Sequence, residues 1–232
     1  MKGLVYLIPI AIAEDGYDAI PNYITEKINQ CEVFFAENIR TARRAFKKID
    51  PKFDIDSRTW IEIGNNEEDF INQFSAFIQQ EKNIGIVSES GCPGIADPGQ
   101  RLVEYAQKQG AHIVPLSGPN SILLTLMASG MNGQGFSFNG YLPIEKNDRE
   151  KKIKELETRS VVDNHSQIFI ETPYRNNQLV DSFLNCCRPD TKLCIGLNLT
   201  SINEWVKTMT ITDWKKNKPT LPKEPAIFIM GK

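Results

Sequence analysis

Short apolar runs alternate along this chain with stretches whose apolar residues recur every three or four positions. Gly3–Pro9, VFFA at Val33–Ala36, TWIEI at Thr59–Ile63, IGIV at Ile84–Val87 and IVPL at Ile113–Leu116 read as strands. They are apolar throughout instead of alternating, which suits a parallel sheet covered on both faces. Between them lie helical patterns at Ala19–Gln30, Ile39–Ile49, Glu67–Gln80 and Pro98–Gln109. Pro21 is tolerated in the first turn of the first of these. In Ile39–Ile49 one face carries Ile39, Ala42, Phe46 and Ile49, and the other carries Arg40, Arg43, Arg44, Lys47 and Lys48. In Glu67–Gln80 the core face carries Phe70, Ile71, Phe74, Phe77 and Ile78. Right-handed crossovers place such helices on both sides of the sheet.

The second half has a different grain. Asn120–Ser129 reads as an apolar helix, FSFNGY as a strand, Arg149–Glu157 as a charged helix and Ile168–Glu171 as a strand. A helix follows from Asn176 to about Cys186, and KLCIGLNL and EWVKTMTI read as the two strands of a hairpin. A short helix around Trp214 leads into a Lys/Pro-rich loop, Lys215–Pro225, and AIFIM closes the chain as a strand. The fold class is therefore α/β in two domains. Residues 1–116 form a mostly parallel sheet, residues 117–232 form a mixed sheet with antiparallel pairs, and the Ser117-Gly118-Pro119 loop separates them.

Composition narrows the function classes. The chain has 232 residues, 41% hydrophobic and 24% charged, as expected of an ordinary globular protein. A net charge of −2 gives no global pull toward nucleic acid or anionic membranes. Five cysteines with no C-x-x-C argue against a disulfide framework and for reduced thiols in the cytoplasm. His112 and His165 are the two histidines and neither has ligand partners nearby in sequence, so no metal site and no His-based triad is expected. The start MKGLVYLIPIAIAEDG has a lysine, an apolar run and an A-x-A, as a leader peptide would. Its single positive residue and the interruption at Pro9 favour a first buried strand instead. No segment is long and apolar enough to span a bilayer, and no membrane association is expected.

Ile84–Asn120 carries the most chemistry. IGIV breaks into a loop dense in Ser, Gly and Pro; a helix and IVPL follow, and then a second Gly-Pro loop. This is a βαβ unit, and ligands sit on the loops that leave such strand ends. The two strands are expected to be neighbours. Gly91-Cys92-Pro93-Gly94-Ile95 lets a ligand approach the backbone closely, and it lacks the G-x-G-x-x-G of a dinucleotide site. Asp97-Pro98-Gly99-Gln100 reads as a capping box with Asp97 as N-cap. Free N–H groups at the start of the helix after Ser117-Gly118-Pro119 can receive a carboxylate, and Ser117 or Asn120 can equally serve as its cap.

These segments, with VFFAENIRTARRAFKKI, FNGYLP and IFIETPYR in the same order, resemble the tetrapyrrole methylase superfamily. Within it they are most similar to the small-subunit ribosomal RNA methyltransferase I branch. The resemblance covers nearly the whole chain, and the Gly/Pro loop with its trailing D-P-G is its most specific part. It implies an S-adenosylmethionine-dependent methyltransferase, a homodimer, and a cofactor cleft between two α/β domains. In that branch the acceptor is a ribose 2′-hydroxyl of a cytidine in small-subunit ribosomal RNA; other branches methylate tetrapyrroles or proteins. The cofactor-binding positions it implies are Ser88, Gly91, Cys92, Pro93, Ile95, Ser121, Ile122, Glu171, Thr172, Leu199, Pro225 and Ala226. The family's P-I-G-N-L-x-D loop is here Pro9-Ile10-Ala11-Ile12-Ala13-Glu14-Asp15, its Glu-Asp pair is Glu37-Asn38, and its Ser-Asp is Ser88-Glu89.

Methyl transfer to a hydroxyl is an in-line displacement that rewards positioning, and a carboxylate can accept the hydroxyl proton. Glu37, at a strand end, is the first candidate for that base and Glu89 the second. Arg40, Arg43 and Arg44 suit phosphate contacts, or else a solvated helix face. Arg175 can hold either Glu171 or a phosphate. Three other readings stay open: a methyltransferase for a tetrapyrrole or another small molecule, a non-catalytic homologue that binds the cofactor or RNA, and a plain nucleotide-binding module.

Overall fold

The computed structural model describes residues 3–64 and 66–232; Met1 and Lys2, the charged start of the leader-like stretch, lie outside them, as does Asn65. The chain divides into two units, the first running to Asn120 and the second Ser121–Lys232.

In the first unit the strands are β1 (Leu4–Ile8), β2 (Val33–Ala36), β3 (Thr59–Glu62), β4 (Ile84–Val87) and β5 (His112–Pro115), interleaved with α1 (Tyr23–Gln30), α2 (Ile39–Ile49), α3 (Glu67–Gln79) and α4 (Gln100–Lys108). The sheet order is β3-β2-β4-β1-β5, and every pairing is parallel. Its strands are apolar on both sides because both sides are covered. Tyr6, Ile8, Phe34 and Ala36 meet Ile24 and Ile28 of α1 and Ala42 and Phe46 of α2. Val5, Val33, Phe35, Ile84 and Ile86 meet Phe70 and Phe74 of α3 and Leu102 and Ala106 of α4.

The structure corrects three expectations in this unit. IGIV and IVPL are not neighbours, since β1 pairs with both β4 and β5 and lies between them. The helix expected from Ala19 begins at Tyr23; a 3-10 turn occupies Gly16–Ala19, and Pro21 stays outside the helix. Asp97 does not cap α4, whose N-cap is Gly99 at φ +113, with no side-chain cap bond. A left-handed φ is easy for glycine, so the chain turns at Gly99 and the helix starts at Gln100.

In the second unit the elements are α5 (Ser121–Ser129), β6 (Phe136–Phe138), α6 (Lys146–Val162), β7 (Ser166–Glu171), α7 (Asn176–Cys186), β8 (Lys192–Leu197), β9 (Trp205–Thr210), α8 (Ile211–Lys216) and β10 (Ala226–Gly231). The sheet order is β6-β7-β10-β8-β9. β6 and β7 are parallel and the other pairs antiparallel, including the expected hairpin of β8 and β9. Phe169, Leu193, Ile195 and Phe228 form a core with Ile153, Leu156, Leu179 and Phe183 of α6 and α7. The opposite face, with Ile168, Cys194, Ile227 and Ile229, packs on Ile122 and Leu126 of α5. α5 comes close because β8 carries Gly196, where an added Cβ would lie 2.6 Å from Thr125 Oγ1. The Lys/Pro-rich loop is pinned to α7: Asn177 exchanges hydrogen bonds with Leu221, and Asn176 Nδ2 donates to the Glu224 carbonyl.

Candidate active site

The carboxyl ends of the parallel strands gather the sequence-selected residues of the first unit. Three loops meet on the β4-β1-β5 side. The Ile10 N–H donates to the Gly91 carbonyl at 3.0 Å, and the Cys92 thiol faces the Pro119 carbonyl at 3.5 Å. Gly118 rests on Pro9, where an added Cβ would fall 2.2 Å from the Pro9 Cβ. Gly91 has φ +68, a conformation that favours glycine. Backbone, with little side chain, therefore forms this surface. Ser88 is buried and its hydroxyl donates to the Ser90 carbonyl. Gly91 and Pro93 are buried, Cys92 is half-buried with its thiol pushed up by burial, and Ile95 is exposed. The loop also holds Ala96 at φ +64, a backbone that the folded loop imposes on a residue with a Cβ.

The β3-β2-β4 side is acidic. Glu37 follows β2, and its Oε2 accepts a hydrogen bond from the Glu89 N–H at 2.9 Å. The two candidate bases are thus adjacent, and the main chain of one orients the carboxylate of the other. Asn38 stands where the family carries an acid, and it caps α2 by accepting from the Thr41 N–H at 3.0 Å. Asn caps as well as Asp, so this departure preserves the local structure. Asp97 is the third acid. Burial first, and then the charges of Glu37 and Glu89, push its carboxyl up from the usual 3.8 to about 6. Sequence reasoning gives Asp97 only a capping role, and the signal it misses is Gly99, which supplies the turn itself. Asp97 lines a cavity of about 300 Å³ together with Ile63, Phe70, Gly99, Gln100 and Leu102. Among the described residues no group of three or more His, Cys, Asp or Glu is placed to hold a metal ion.

The cations of α2 divide. Arg40 and Arg44 are exposed, whereas Arg43 pairs with Asp56 at 2.8 Å. The cationic face read from the helix itself thus acquires an acid from the loop after it. Lys47 and Lys48 donate to the Pro51 and Glu14 carbonyls.

In the second unit most of the remaining candidates share one sheet edge. Ala226 pairs with Glu171 on one side and Leu197 on the other. Thr172, Leu199 and Pro225 continue from the same strand ends. Thr125 of α5 meets Gly196, and the Ser129 carbonyl near the helix's other end accepts from Thr208 Oγ1. Ser121 and Ile122 therefore lie toward the Glu171–Ala226–Leu197 row. Glu171 is buried, and its Oε1 accepts from the Thr172 N–H at 2.6 Å and from Arg175 Nε and Nη2 at 3.0 and 2.6 Å. Of the two roles open to Arg175, holding Glu171 is the one its geometry takes. Asn198 and Thr200 flank Leu199 with φ +49 and +69, so the β8 strand end turns sharply there.

This architecture is that of the tetrapyrrole methylases. The chain is similar to uroporphyrin-III C-methyltransferase from Thermus thermophilus, with a TM-score of 0.57 and 16% identity over 100% of this chain and 93% of that one. It is also similar to a cobalt precorrin-4 methyltransferase of cobalamin biosynthesis, with a TM-score of 0.62 and 13% identity over 98% and 94% of the two chains. A structure of the Thermus enzyme complexed with S-adenosylhomocysteine matches with a TM-score of 0.58 and 12% identity, over 99% of this chain and 98% of that one. No family model matches the chain. By sequence it is similar to proteins named ribosomal RNA small subunit methyltransferase I. The Vibrio cholerae relative is 26% identical over 90% of this chain and 69% of its own length. The Halalkalibacterium halodurans relative is 30% identical over 79% and 60%, and the Bacillus subtilis relative 29% over 91% and 68%.

Proposed function

We propose that the chain binds S-adenosylmethionine and transfers its methyl group to a ribose 2′-hydroxyl of small-subunit ribosomal RNA. The observation that carries this reading is the junction of three Gly/Pro loops at the carboxyl edge of the first sheet. Gly91 and Gly118 keep side chains off the surface, and backbone N–H and C=O groups are left to hold a flat, polar ligand. The lining suits the cofactor: main-chain groups and the Cys92 thiol for its polar atoms and apolar Ile12 beside Gly91. In the second unit Ser121, Glu171, Thr172, Leu199 and Ala226 are the positions that the family resemblance implies for the cofactor. Bound there, the sulfonium supplies an electrophilic methyl group and needs no metal to activate it.

The chain's own residues then position the acceptor and take its proton. Glu37 is held by the Glu89 N–H, and its carboxylate accepts the hydroxyl proton as the oxygen is methylated. Arg40 and Arg44 sit on the helix that starts beside Glu37, and they meet the phosphates flanking the acceptor. A second copy of the chain and the small ribosomal subunit are the partners this reading carries.

The test is calorimetry with S-adenosylhomocysteine, followed by incorporation of tritiated methyl groups into small ribosomal subunits. Heat of binding and a labelled ribose are expected. Absence of heat on folded protein ends the cofactor assignment. Heat without label marks a non-catalytic homologue, and label on a tetrapyrrole instead of RNA marks the small-molecule branch.

A further inference from the structure

The crest of the first sheet has two halves with different chemistry. The β4-β1-β5 half is the backbone-lined surface assigned above to the cofactor. The β3-β2-β4 half has a cavity that this assignment does not use. It lies between the first turns of α3 and α4, beyond the ends of β3 and β4, and β2 with Glu37 at its end runs between those two strands. Its walls are Ile63, Phe70 and Leu102, and its polar groups are the Asp97 carboxyl and the residues of the α4 start, Gln100 and Arg101. Arg101 is already engaged by Glu67 and Glu104, and Gln100 Nε2 donates a long hydrogen bond of 3.5 Å to Glu104, which leaves the Asp97 carboxylate and the Gln100 carbonyl oxygen as the groups able to address a ligand.

We propose that this cavity receives the base of the acceptor nucleotide, turned out of its stack, with Asp97 and Gln100 bonding its Watson–Crick edge. The inference rests on the RNA reading above and extends it to the recognition of one nucleotide. Three observations choose a nucleobase. The cavity, at about 300 Å³, sits at the small end of ligand pockets, which begin near ~300 Å³. Apolar walls with a few polar groups suit a flat ring that stacks on its faces and bonds at its edge. The neighbours are also in the order a nucleotide requires: Asp97 for the base, Glu37 for the ribose hydroxyl, and exposed Arg40 and Arg44 for phosphate. The charge of Glu37 is one of the causes that raise Asp97, which places the two carboxyls within electrostatic reach. A carboxylate accepts from an exocyclic amine. It thereby matches the amine that cytosine carries on its Watson–Crick edge.

The test compares two single-stranded RNAs that differ at one central position, cytidine in one and an abasic ribose in the other. Both keep the 2′-hydroxyl and all phosphates. Fluorescence anisotropy with the wild-type chain is expected to show a preference of about ten-fold or more for the cytidine RNA, the scale of a bidentate base contact. Gln100 is exposed, and Gln100→Trp fills the cavity from its rim. That variant is expected to bind both RNAs equally, at the affinity of the abasic one. Equal wild-type affinity for the two RNAs overturns the proposal, and so does a preference that survives in Gln100→Trp. Calorimetry with S-adenosylhomocysteine on the same preparations separates the two claims. Heat with no base preference defeats the cavity assignment alone. A base preference with no heat supports the cavity and defeats the cofactor assignment.

Discussion

Asp97 illustrates how one side chain carries opposing demands. Its carboxyl is half-buried and feels the charges of Glu37 and Glu89, and its protonation midpoint moves from 3.8 to about 6. The folded chain therefore holds this proton more tightly than the unfolded chain does. Linkage then makes Asp97 increasingly destabilising as pH rises from about 4 to about 6, with the full penalty above that range. Asp97→Asn is expected to raise the melting temperature at pH 7 to 8, and the difference from wild type is expected to vanish toward pH 4. A difference that does not change with pH contradicts this account. The sequence makes Glu37 and Glu89 visible as candidate acids because each follows a strand end. It cannot reveal that the Glu89 main chain orients Glu37, since that contact joins residues 52 positions apart. Arg175 has two roles open to it in sequence for the same kind of reason, and only the burial of Glu171 separates them.

At the scale of elements, α2 is legible to the residue. Its apolar face repeats cleanly, and Asn38 is a strong start signal. Asn38→Ala should destabilise the chain by about 1 kcal/mol, the usual worth of such a cap, while Asn38→Asp should be near neutral; urea unfolding midpoints distinguish the two. α6 is legible only in part. It runs Lys146–Val162, well beyond the Arg149–Glu157 expected, because its buried face includes Arg149, Glu157 and Ser160 beside Ile153 and Leu156. Arg149 donates to Ser182 Oγ and to the Ile144 carbonyl, and Glu157 accepts from the Arg188 N–H and Thr191 Oγ1. Buried charges with partners interrupt the apolar period that marks a helix. The start of α4 misleads because Asp-Pro followed by Gln imitates a cap, while the chain reverses two residues later at Gly99.

For the whole molecule, the α/β class and the parallel-then-mixed division follow from the unbroken apolar strands of the first half and the hairpin of the second. Strand order does not, because each short apolar run can pair with any other, and nearness in sequence wrongly suggests β4 beside β5. The proposed RNA contact is likewise a property of the assembled surface. Since Arg43 is paired with Asp56, the double variant Arg40→Ala/Arg44→Ala is the informative one. It should weaken single-stranded RNA binding and make the plot of log affinity against log salt shallower by roughly 1.4, because two phosphates are no longer neutralised. An unchanged slope would mark α2 as a solvated face.

The position of β1 has one more consequence. Leu4–Ile8, the earliest of the described strands, takes the second place from the sheet's far edge, and its hydrogen-bonding partners are residues 84–87 and 112–115. Leu4–Ile8 has no partner strand until residues 84–87 have been made, and only half of its ladder until residues 112–115 follow. Such distant pairing slows folding and exposes an apolar segment in the meantime. The second unit, with a hairpin closed across a short turn, faces a smaller delay. During translation the early segment is therefore the part of this chain most in need of chaperone protection.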